Sequence, residues 1–274
     1  MNVPITLIGY GEAGRTFAQS AGWGAECCVY DPKSLTAHYA EDGVHGCDTS
    51  ADAIAGSAQV ISVVTADQAL IAARDAAKHI PTGALYFDMN SVAPATKREA
   101  AIAIAAAGGR YVDVAVMSPV NPNRLNVPLF ISGPHALIGK DVLEALGFSN
   151  VRIVGDDVGR ASTIKMLRSV MYKGVEALTA ECLIACERAG VTEEVLGSFG
   201  NDWSSSADYR IDRMMVHGVR RAAEMIEVVK MLEALGVAAL MTRGSAERQA
   251  QIGNLGITAP PEGLDAKLKR LKNL

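Results

Sequence analysis

Three glycines near the start of the chain have the spacing of a phosphate-binding turn. Gly9, Gly11 and Gly14 directly follow the apolar run 5–8 and precede an amphipathic stretch, 15–20. In a strand–turn–helix unit the first glycine permits a tight turn, the second admits a phosphate to the backbone, and the third lets the helix pack closely. The N-terminus of the helix offers N–H groups and a positive dipole end to the anion. The segment therefore predicts a dinucleotide site. Its predicted cofactor-binding residues are Gly9, Gly11, Glu12, Ala13 and Gly14.

An acidic residue ends the second predicted strand, which runs from 26 to 30. Asp31 at that position is suited to accept hydrogen bonds from the ribose hydroxyls of an adenosine. It would repel the 2′-phosphate of NADP by about 1–4 kcal/mol at about 4 Å in a partly exposed site. The residue therefore predicts NAD, with NADP less favoured, although Lys33 could soften the preference. A second interpretation is that Asp31 only caps the turn before Pro32.

The composition narrows the class of protein and its partners. A chain of 274 residues, 49% of them apolar, can hold one large domain or two moderate ones. The net charge of −4 gives no reason to expect nucleic acid or bulk membrane as a partner. No uncharged apolar run reaches membrane-spanning length. Only four residues precede the first predicted strand, so we expect no signal peptide.

The cysteines indicate free thiols rather than a metal site. None of the five forms a Cys-x-x-Cys pair, although two of them share one face of a predicted helix. We therefore expect no metal and buried free thiols, which fit a reducing cytoplasm. The cysteines are Cys27, Cys28, Cys47, Cys182 and Cys186.

Strands and helices alternate through the first half of the chain. This pattern predicts a parallel, doubly wound sheet with helices on both faces, a Rossmann-type α/β domain. The further predicted strands are 60–64, 84–88, 111–116, 129–132 and 151–154, and the helices between them are 67–79, 94–107 and 135–146.

After residue 155 the pattern becomes wholly helical. Residues 159–190 contain no proline and one internal glycine, which predicts a single long helix. Helices at 192–199 and 209–235 and a short helical tail follow. We therefore predict a dinucleotide-binding domain over 1–158 and an all-helical domain over 159–274, joined by the long helix. Because clefts between domains are common ligand sites, we expect the substrate there.

Four segments resemble the β-hydroxyacid dehydrogenase family, which includes 3-hydroxyisobutyrate dehydrogenase and 6-phosphogluconate dehydrogenase. They are the glycine turn, residues 63–65 with Thr65 beside the cofactor, residues 88–91 with Asn90 at the nicotinamide end, and residues 155–165. The last is similar to the family's Gly-x-Gly-x-x-x-Lys signature. Residues 220–225 resemble a branch with a 6-phosphogluconate-dehydrogenase-like C-terminal domain.

The resemblance implies that Lys165 is the catalytic acid and base. Hydride leaving a carbinol carbon requires a base for the hydroxyl proton, and the reverse reaction requires an acid beside the carbonyl oxygen. Burial lowers the pKa of a lysine ammonium toward neutral pH, where proton transfer is efficient. From the residues alone, Lys165 lies between Ile164 and Met166 and could equally be a solvated helix position.

Two departures from the family pattern concern the substrate. Ser169 stands where the family has an asparagine one helical turn after the lysine, and it can still donate to a substrate oxygen. The family's carboxylate-binding loop Asp-x-Pro-Val-Ser-Gly-Gly is replaced here by 113–119, with Met117 and Ser118 at the serine and first glycine. Pro119 has no N–H to donate. The loop favours a bulkier or less acidic substrate than a 3-hydroxy carboxylate.

Three further residues are candidates for the substrate site. Arg168 lies with Arg160 and Lys165 near the N-terminus of the long helix, where the helix dipole disfavours cations. An anionic cofactor or substrate group would offset this, or the three residues form an exposed basic face. His217 falls roughly where the family has a lysine near the nicotinamide, which makes it a secondary catalytic candidate. It shares a polar stripe with Arg220, Arg221 and Glu224, which we expect to be solvated or, alternatively, to face the cleft or a partner subunit. Trp203 flanks a predicted serine-rich loop, 204–206, and is a candidate pocket wall or core residue.

The leading prediction is an NAD(P)-dependent oxidoreductase that transfers hydride between nicotinamide and the CH–OH or C=O group of a small hydroxy acid or related alcohol. An imine reductase-like enzyme is one alternative, although such enzymes usually lack the lysine. A non-catalytic NAD(H)-binding protein is another, since the loop and the family asparagine are both altered. The resemblance also implies a homodimer formed through the helical domain.

Overall fold

The computed structural model describes residues 5–33, 36–200 and 202–274. The chain divides into two compact units, Met1–Lys165 and Met166–Leu274, which are described in turn. This division falls inside a helix that runs from Arg160 to Ala189. The domain boundary expected between 158 and 159 lies just before the same helix and stays a prediction.

In the described part of the first unit, eight strands form one sheet in the order β3-β2-β1-β4-β5-β6-β7-β8. The strands are β1 (Ile5–Ile8), β2 (Cys27–Tyr30), β3 (His45–Gly46), β4 (Gln59–Ser62), β5 (Leu85–Asp88), β6 (Arg110–Val116), β7 (Leu129–Ser132) and β8 (Val151–Gly155). The helices are α1 (Glu12–Ala21), α2 (Thr36–Asp42), α3 (Ser50–Ile54), α4 (Ala69–Ala76), α5 (Pro94–Ala106), α6 (Ala136–Ala145) and the start of α7 (Arg160–Ala189).

The strand order creates a switch point between β1 and β4. β1 pairs in parallel with β2 on one side and with β4 on the other, so the connections leave in opposite directions. In open α/β sheets ligands bind beyond the carboxyl ends of the strands at such a point. The glycine turn follows β1 and Val63 follows β4, so the predicted cofactor segments meet at this edge.

The sheet is mostly parallel rather than wholly parallel. β7 runs antiparallel to β6, and β8 is again parallel to β7. The predicted parallel, doubly wound sheet is confirmed, with one antiparallel pairing between β6 and β7. A parallel return needs a long crossover, usually a helix. The link from β6 to β7 contains only the single 3-10 turn Arg124–Asn126, so β7 returns antiparallel.

The core of the first unit lies on both faces of the sheet. Leu85 and Phe87 of β5 enter one buried cluster, and Tyr86 between them enters another. Alternate residues of a strand point to opposite faces. Strands buried on both faces need continuous apolar runs, and this is the pattern from which they were predicted.

The second unit is helical in its described residues. It contains the rest of α7, then α8 (Thr192–Phe199), α9 (Trp203–Ala234), α10 (Leu240–Gly253) and α11 (Leu264–Leu271). The prediction of a serine-rich loop over 204–206 was wrong, because these residues form the first turn of α9. Serine is accommodated there since the first-turn backbone groups lack helical partners. Ser205 instead donates to the carbonyl of Asp202 at 3.2 Å.

Ion pairs join α9 to α7 inside the second unit. Arg221 donates to Glu176 on α7, and Glu224 accepts from Lys173 at 2.5 Å. Gln249 of α10, which is fully buried, donates to the same Glu176 at 3.0 Å. The polar stripe of α9 was expected to be solvated, and for Arg221 and Glu224 this was wrong. Its spacing gives one helix face, but only packing decides what covers that face.

Three further observations concern the cysteine thiols, possible metal ligands and possible membrane-spanning helices. All five cysteines are free, and burial raises the pKa of the Cys27 thiol to about 12, which keeps it protonated. Within residues 5–33, 36–200 and 202–274, no three His, Cys, Asp or Glu side chains gather as metal ligands. Over the same ranges, no helix has the length and apolar character needed to cross a bilayer.

Candidate active site

Two of the three glycines in the turn are required by the protein itself. Gly9 has φ +95°, and a Cβ there would lie 2.2 Å from the carbonyl oxygen of Val63. A Cβ at Gly14 would lie 2.4 Å from the carbonyl oxygen of Gly9. Because L side chains rarely adopt such φ values and cannot overlap backbone atoms, only glycine fits at Gly9. The turn therefore draws β1, β4 and α1 together at the switch point.

Gly11 differs from its neighbours because no protein atom excludes a side chain there. A Cβ at Gly11 would have no described heavy atom of another segment within 4 Å. Gly11 is also the N-cap residue of α1, and no side chain caps this helix in the described structure. The backbone groups of the first turn thus face open space, where a pyrophosphate can approach. The segment fits the phosphate group of a dinucleotide.

Asp31 is held against the glycine turn. Its Oδ2 accepts the backbone N–H of Tyr10 at 2.8 Å, and its Oδ1 accepts the backbone N–H of Lys33 at 2.9 Å. The second bond is the turn-capping interaction that the sequence left open, and the first ties the carboxylate to the cofactor segment. Each carboxylate oxygen retains a further lone pair for a ribose hydroxyl.

The ring of Tyr10 lies beneath the turn and is buried. Its hydroxyl donates to Asp42 of α2 at 3.0 Å, and burial raises the pKa of this phenol well above its usual range. Arg15 of α1 donates to the same carboxylate at 2.6 Å, and this hydrogen bond lowers the pKa of Asp42. Tyr39 packs edge-on against Tyr10 with 5.2 Å between ring centroids. These contacts fasten α2 to the glycine turn.

Asn90 bridges the ends of β4 and β5. Its side-chain oxygen accepts the backbone N–H of Val64 at 2.6 Å, and its side-chain nitrogen donates to Ser62 at 3.0 Å. The residue is 4% exposed. The contact of Asn90 with a nicotinamide stays a prediction. Its hydrogen bond to Val64 holds the backbone of the segment that carries Thr65, and Thr65 itself is exposed.

Lys165 meets Ser91 at the end of β5. The lysine Nζ donates to Ser91 Oγ at 2.5 Å, and both side chains are only partly buried. The two residues are 74 positions apart in the chain. A primary amine and a hydroxyl are thus in contact at the carboxyl edge of the sheet, and the role of Lys165 as acid and base stays a prediction.

Sequence reasoning missed a buried lysine that contacts strands β5 and β6. Lys97 of α5 is 0% exposed, and its Nζ lies 2.9 Å from Asp88 Oδ1 and 3.3 Å from Asp113 Oδ1. Tyr111 donates to the other oxygen of Asp88 at 2.7 Å, and burial raises the pKa of that phenol. A signal was present, since Lys97 interrupts the apolar face that Ala100 continues along α5.

Asp113 reaches the N-terminus of α7 from the middle of the sheet. Its Oδ2 accepts the backbone N–H groups of Gly159 at 3.1 Å and of Ser162 at 3.2 Å. A carboxylate at this position also complements the helix dipole. The aspartate of the predicted substrate loop therefore caps the helix that carries Lys165.

The rest of the predicted substrate loop divides between core and surface. Met117 is 8% exposed and packs in a cluster with Ala115 and Ala161. Ser118 Oγ accepts from Asn123 at 3.3 Å. Met117 thus packs against the first turn of α7. The predicted contacts of Met117 and Ser118 with a substrate stay predictions.

Four predicted residues belong to the second unit. Ser169 is partly buried, one turn after Lys165 on α7. Arg168 places its guanidinium 4.2 Å from the ring centroid of Tyr172. His217 is partly buried on α9, and Trp203 is the first residue of the same helix, 4.9 Å from Phe199 between ring centroids. Their proposed contacts with substrate stay predictions.

The fold, the glycine turn and Asp31 define a nicotinamide-dinucleotide-binding protein of Rossmann type. Residues 4–150 match the model of the NAD binding domain of 6-phosphogluconate dehydrogenase. Residues 187–252 match a domain of unknown function, DUF1932. The first match covers more than half of the chain, so it establishes the family.

Known proteins with similar sequences and folds agree with this assignment. A conserved hypothetical protein from Sinorhizobium meliloti is 37% identical, with a TM-score of 0.76, over 100% of this chain and 97% of that one. A 3-hydroxyisobutyrate dehydrogenase from Pseudomonas aeruginosa is 28% identical over 73% of this chain and 71% of its own length. The structure of a 3-hydroxyisobutyrate dehydrogenase from Salmonella typhimurium is 20% identical, with a TM-score of 0.75 over 98% and 100%, and shows the shared fold.

The chain belongs to the β-hydroxyacid dehydrogenase family. This confirms the resemblance that the sequence carried in its glycine turn and in the segments at 63–65, 88–91 and 155–165. The class is that of NAD(P)-dependent oxidoreductases, with a Rossmann domain followed by a helical region.

Proposed function

We propose that this protein is an NAD-dependent dehydrogenase that oxidises the CH–OH group of a small hydroxy acid or related alcohol, and reduces the product in reverse. The observation that carries the proposal is the contact of Lys165 with Ser91, at 2.5 Å, on the sheet edge that also holds the glycine turn. The family assignment makes the reaction class the expected one, and the pair supplies the proton-transfer group that it requires.

Residues of the protein would transfer the proton of the substrate hydroxyl. Bound nicotinamide supplies the hydride acceptor. The neutral amine of Lys165 takes the proton of the substrate hydroxyl as the carbinol carbon loses its hydride, and the ammonium returns the proton to the carbonyl oxygen in the reverse direction. Ser91 holds the amine in place, because its Oγ accepts a hydrogen bond from Nζ. Ser169, one helical turn on, would donate to a substrate oxygen.

The substrate loop supports an alcohol that is bulkier or less acidic than a simple 3-hydroxy carboxylate. Pro119 has no N–H to donate to a substrate carboxylate. The test is NAD reduction against a panel of small hydroxy acids, their esters and aryl-substituted diols. Turnover of one of these classes supports the proposal, whereas reduction of cyclic imines alone replaces it with imine-reductase chemistry. Tight NADH binding with no turnover on either panel replaces it with a binding protein.

The proposed cofactor preference is NAD over NADP. The carboxylate of Asp31 accepts a hydrogen bond from the glycine turn, and a 2′-phosphate near it would meet about 1–4 kcal/mol of repulsion. We expect Asp31→Asn to raise the affinity for NADPH relative to NADH by about fivefold or more. Competitive fluorescence titration of the two nucleotides measures this ratio.

The control for this experiment is Asp141→Asn, which removes an exposed carboxylate from α6. It is expected to leave the ratio unchanged. Tighter binding of NADPH than NADH by the wild-type protein would overturn the preference.

We further propose a homodimer formed through the helical unit. Leu240 and Met241 of α10 are 73% and 82% exposed, and Leu178 of α7 is 67% exposed. Several large exposed apolar side chains together are typical of an interaction surface. The family suggests that a second copy of this chain covers this surface. Sedimentation at micromolar concentration is expected to give a dimer, and Met241→Glu to weaken it. Ile102→Glu, at a 70% exposed position of α5 in the first unit, is the matched control. A wild-type monomer would refute the proposal.

A further inference from the structure

Three charged side chains of β5, β6 and α5 are almost wholly buried together. Lys97, Asp88 and Asp113 are 0%, 1% and 0% exposed. The ammonium of Lys97 contacts one oxygen of each carboxylate and also donates to the backbone carbonyl of Asp88 at 2.6 Å. Removing three charges from water is costly, and the same core could be filled by apolar residues. A contribution to stability therefore does not explain why these three charged residues are buried here.

One end of this charged cluster holds the segment that carries Ser91. Asp88 Oδ1 accepts the backbone N–H of Asn90 at 3.0 Å, directly before Ser91. The second oxygen of Asp88 is occupied by the hydroxyl of Tyr111. The orientation of the Asp88 carboxylate thus sets the backbone on which Ser91 stands.

The other end holds the first turn of α7. Asp113 Oδ2 accepts from the backbone N–H groups of Gly159 and Ser162. Ser132, at the end of β7, donates to the same oxygen at 3.1 Å and accepts the N–H of Ala161 at 3.0 Å. Three backbone N–H groups at the helix start, those of Gly159, Ala161 and Ser162, are therefore held to the sheet through Asp113 and Ser132.

We infer that Lys97 is a positioning residue for the Lys165–Ser91 pair. Its ammonium contacts the carboxylates of both Asp88 and Asp113, which are also paired in register between β5 and β6, and through them it holds the segment before Ser91 and the helix turn before Lys165. Lys97 itself touches neither member of the pair in the described contacts. The inference rests on the proposed function, because it assigns Lys97 a role in that reaction.

The test compares Lys97→Met with Lys267→Met. Lys267 is also a buried lysine with two carboxylate partners, Asp208 and Asp212, but it joins α11 to α9 in the second unit. With the substrate identified by the panel, kcat of the Lys97 variant is expected to fall about 100-fold, which is the cost of a misplacement of about 1 Å at a reacting group. The NADH dissociation constant is expected to stay within about twofold, since the glycine turn is not part of the charged cluster.

Hydrogen–deuterium exchange gives a second readout that needs no substrate. In Lys97→Met, exchange is expected to rise in residues 89–92 and 159–166 while residues 9–14 keep their wild-type rate. A uniform rise over the whole first unit, with kcat and NADH affinity falling together, would mean a merely structural role and would overturn the inference. So would wild-type kcat in a folded Lys97 variant.

A milder variant covers the case in which Lys97→Met does not fold. Ser132→Ala keeps all three charges and removes only the hydroxyl between Asp113 and the N–H of Ala161. It is expected to lower kcat several-fold and to raise exchange in 159–166 alone, and unchanged values for both would contradict the inference. If the wild type oxidises no alcohol, the proposed function fails, and the exchange pattern then decides separately whether Lys97 positions the two segments.

Discussion

Replacement of Lys165 by methionine is expected to lower kcat for alcohol oxidation by about 10³-fold, while NADH binds with unchanged affinity. A positioned general base contributes about 10²–10⁴-fold to a proton-transfer step, and methionine keeps the length of the side chain without a titratable group. Ser91 would lose the amine that it holds at 2.5 Å. Steady-state kinetics with the substrate identified by the panel, together with NADH titration by fluorescence, measure the two quantities.

Lys140→Met is the control for this substitution. Lys140 lies on α6, pairs with Glu144 at 3.6 Å and is partly exposed, so its loss is expected to change neither kcat nor NADH affinity. Turnover that survives in Lys165→Met would keep the dehydrogenase and remove the lysine from its role. His217 would then be the next candidate for the acid and base.

The second large effect is expected at Gly11. A methyl group there meets no described protein segment within 4 Å, so Gly11→Ala is expected to lower the melting temperature only slightly, through the poorer N-cap preference of alanine. It would occupy the space through which the pyrophosphate reaches the first turn of α1. Inserting a methyl group into a packed contact costs about 1–3 kcal/mol, which corresponds to about 5- to 150-fold weaker binding of NADH. Calorimetric titration and thermal unfolding measure the two effects separately.

Two further glycine-to-alanine variants show that this effect is specific. Gly9→Ala is expected to lower the melting temperature, because φ is +95° and the new Cβ would lie 2.2 Å from the carbonyl oxygen of Val63. Gly197→Ala, inside α8 with open space around it, is expected to leave NADH binding unchanged and to raise stability slightly, because alanine favours a helix interior over glycine by about 0.5–1 kcal/mol. Undiminished NADH affinity in Gly11→Ala would place the phosphate elsewhere.

Much of the fold could be predicted because its signals are local. A strand, a glycine turn, a helix and Asp31 follow one another within about thirty residues, and the backbone itself requires two of the three glycines, Gly9 and Gly14. Apolar runs marked β5 and β6 because strands covered on both faces bury every residue. The reversal of β7 was missed, since strand direction depends on the connection rather than on the strand's own residues.

The candidate site was predicted in part for the same reason. Motif spacing places Asn90 and Lys165 on segments typical of the family, but it does not say what their side chains touch. Asn90 is occupied with Val64 and Ser62, which no spacing reveals. The stripe of α9 was predicted correctly as one face, yet Arg221 on that face pairs with Glu176 of another helix.

What the sequence by itself determined is the class of fold, the dinucleotide turn and the family, because these depend on the order and type of neighbouring residues. Only the tertiary structure decided that Lys165 meets Ser91 and that Lys97 lies between Asp88 and Asp113. Such contacts join residues far apart in the chain. They form because the parallel sheet brings the carboxyl ends of its strands to one edge, and an isolated charge cannot remain buried there without a partner.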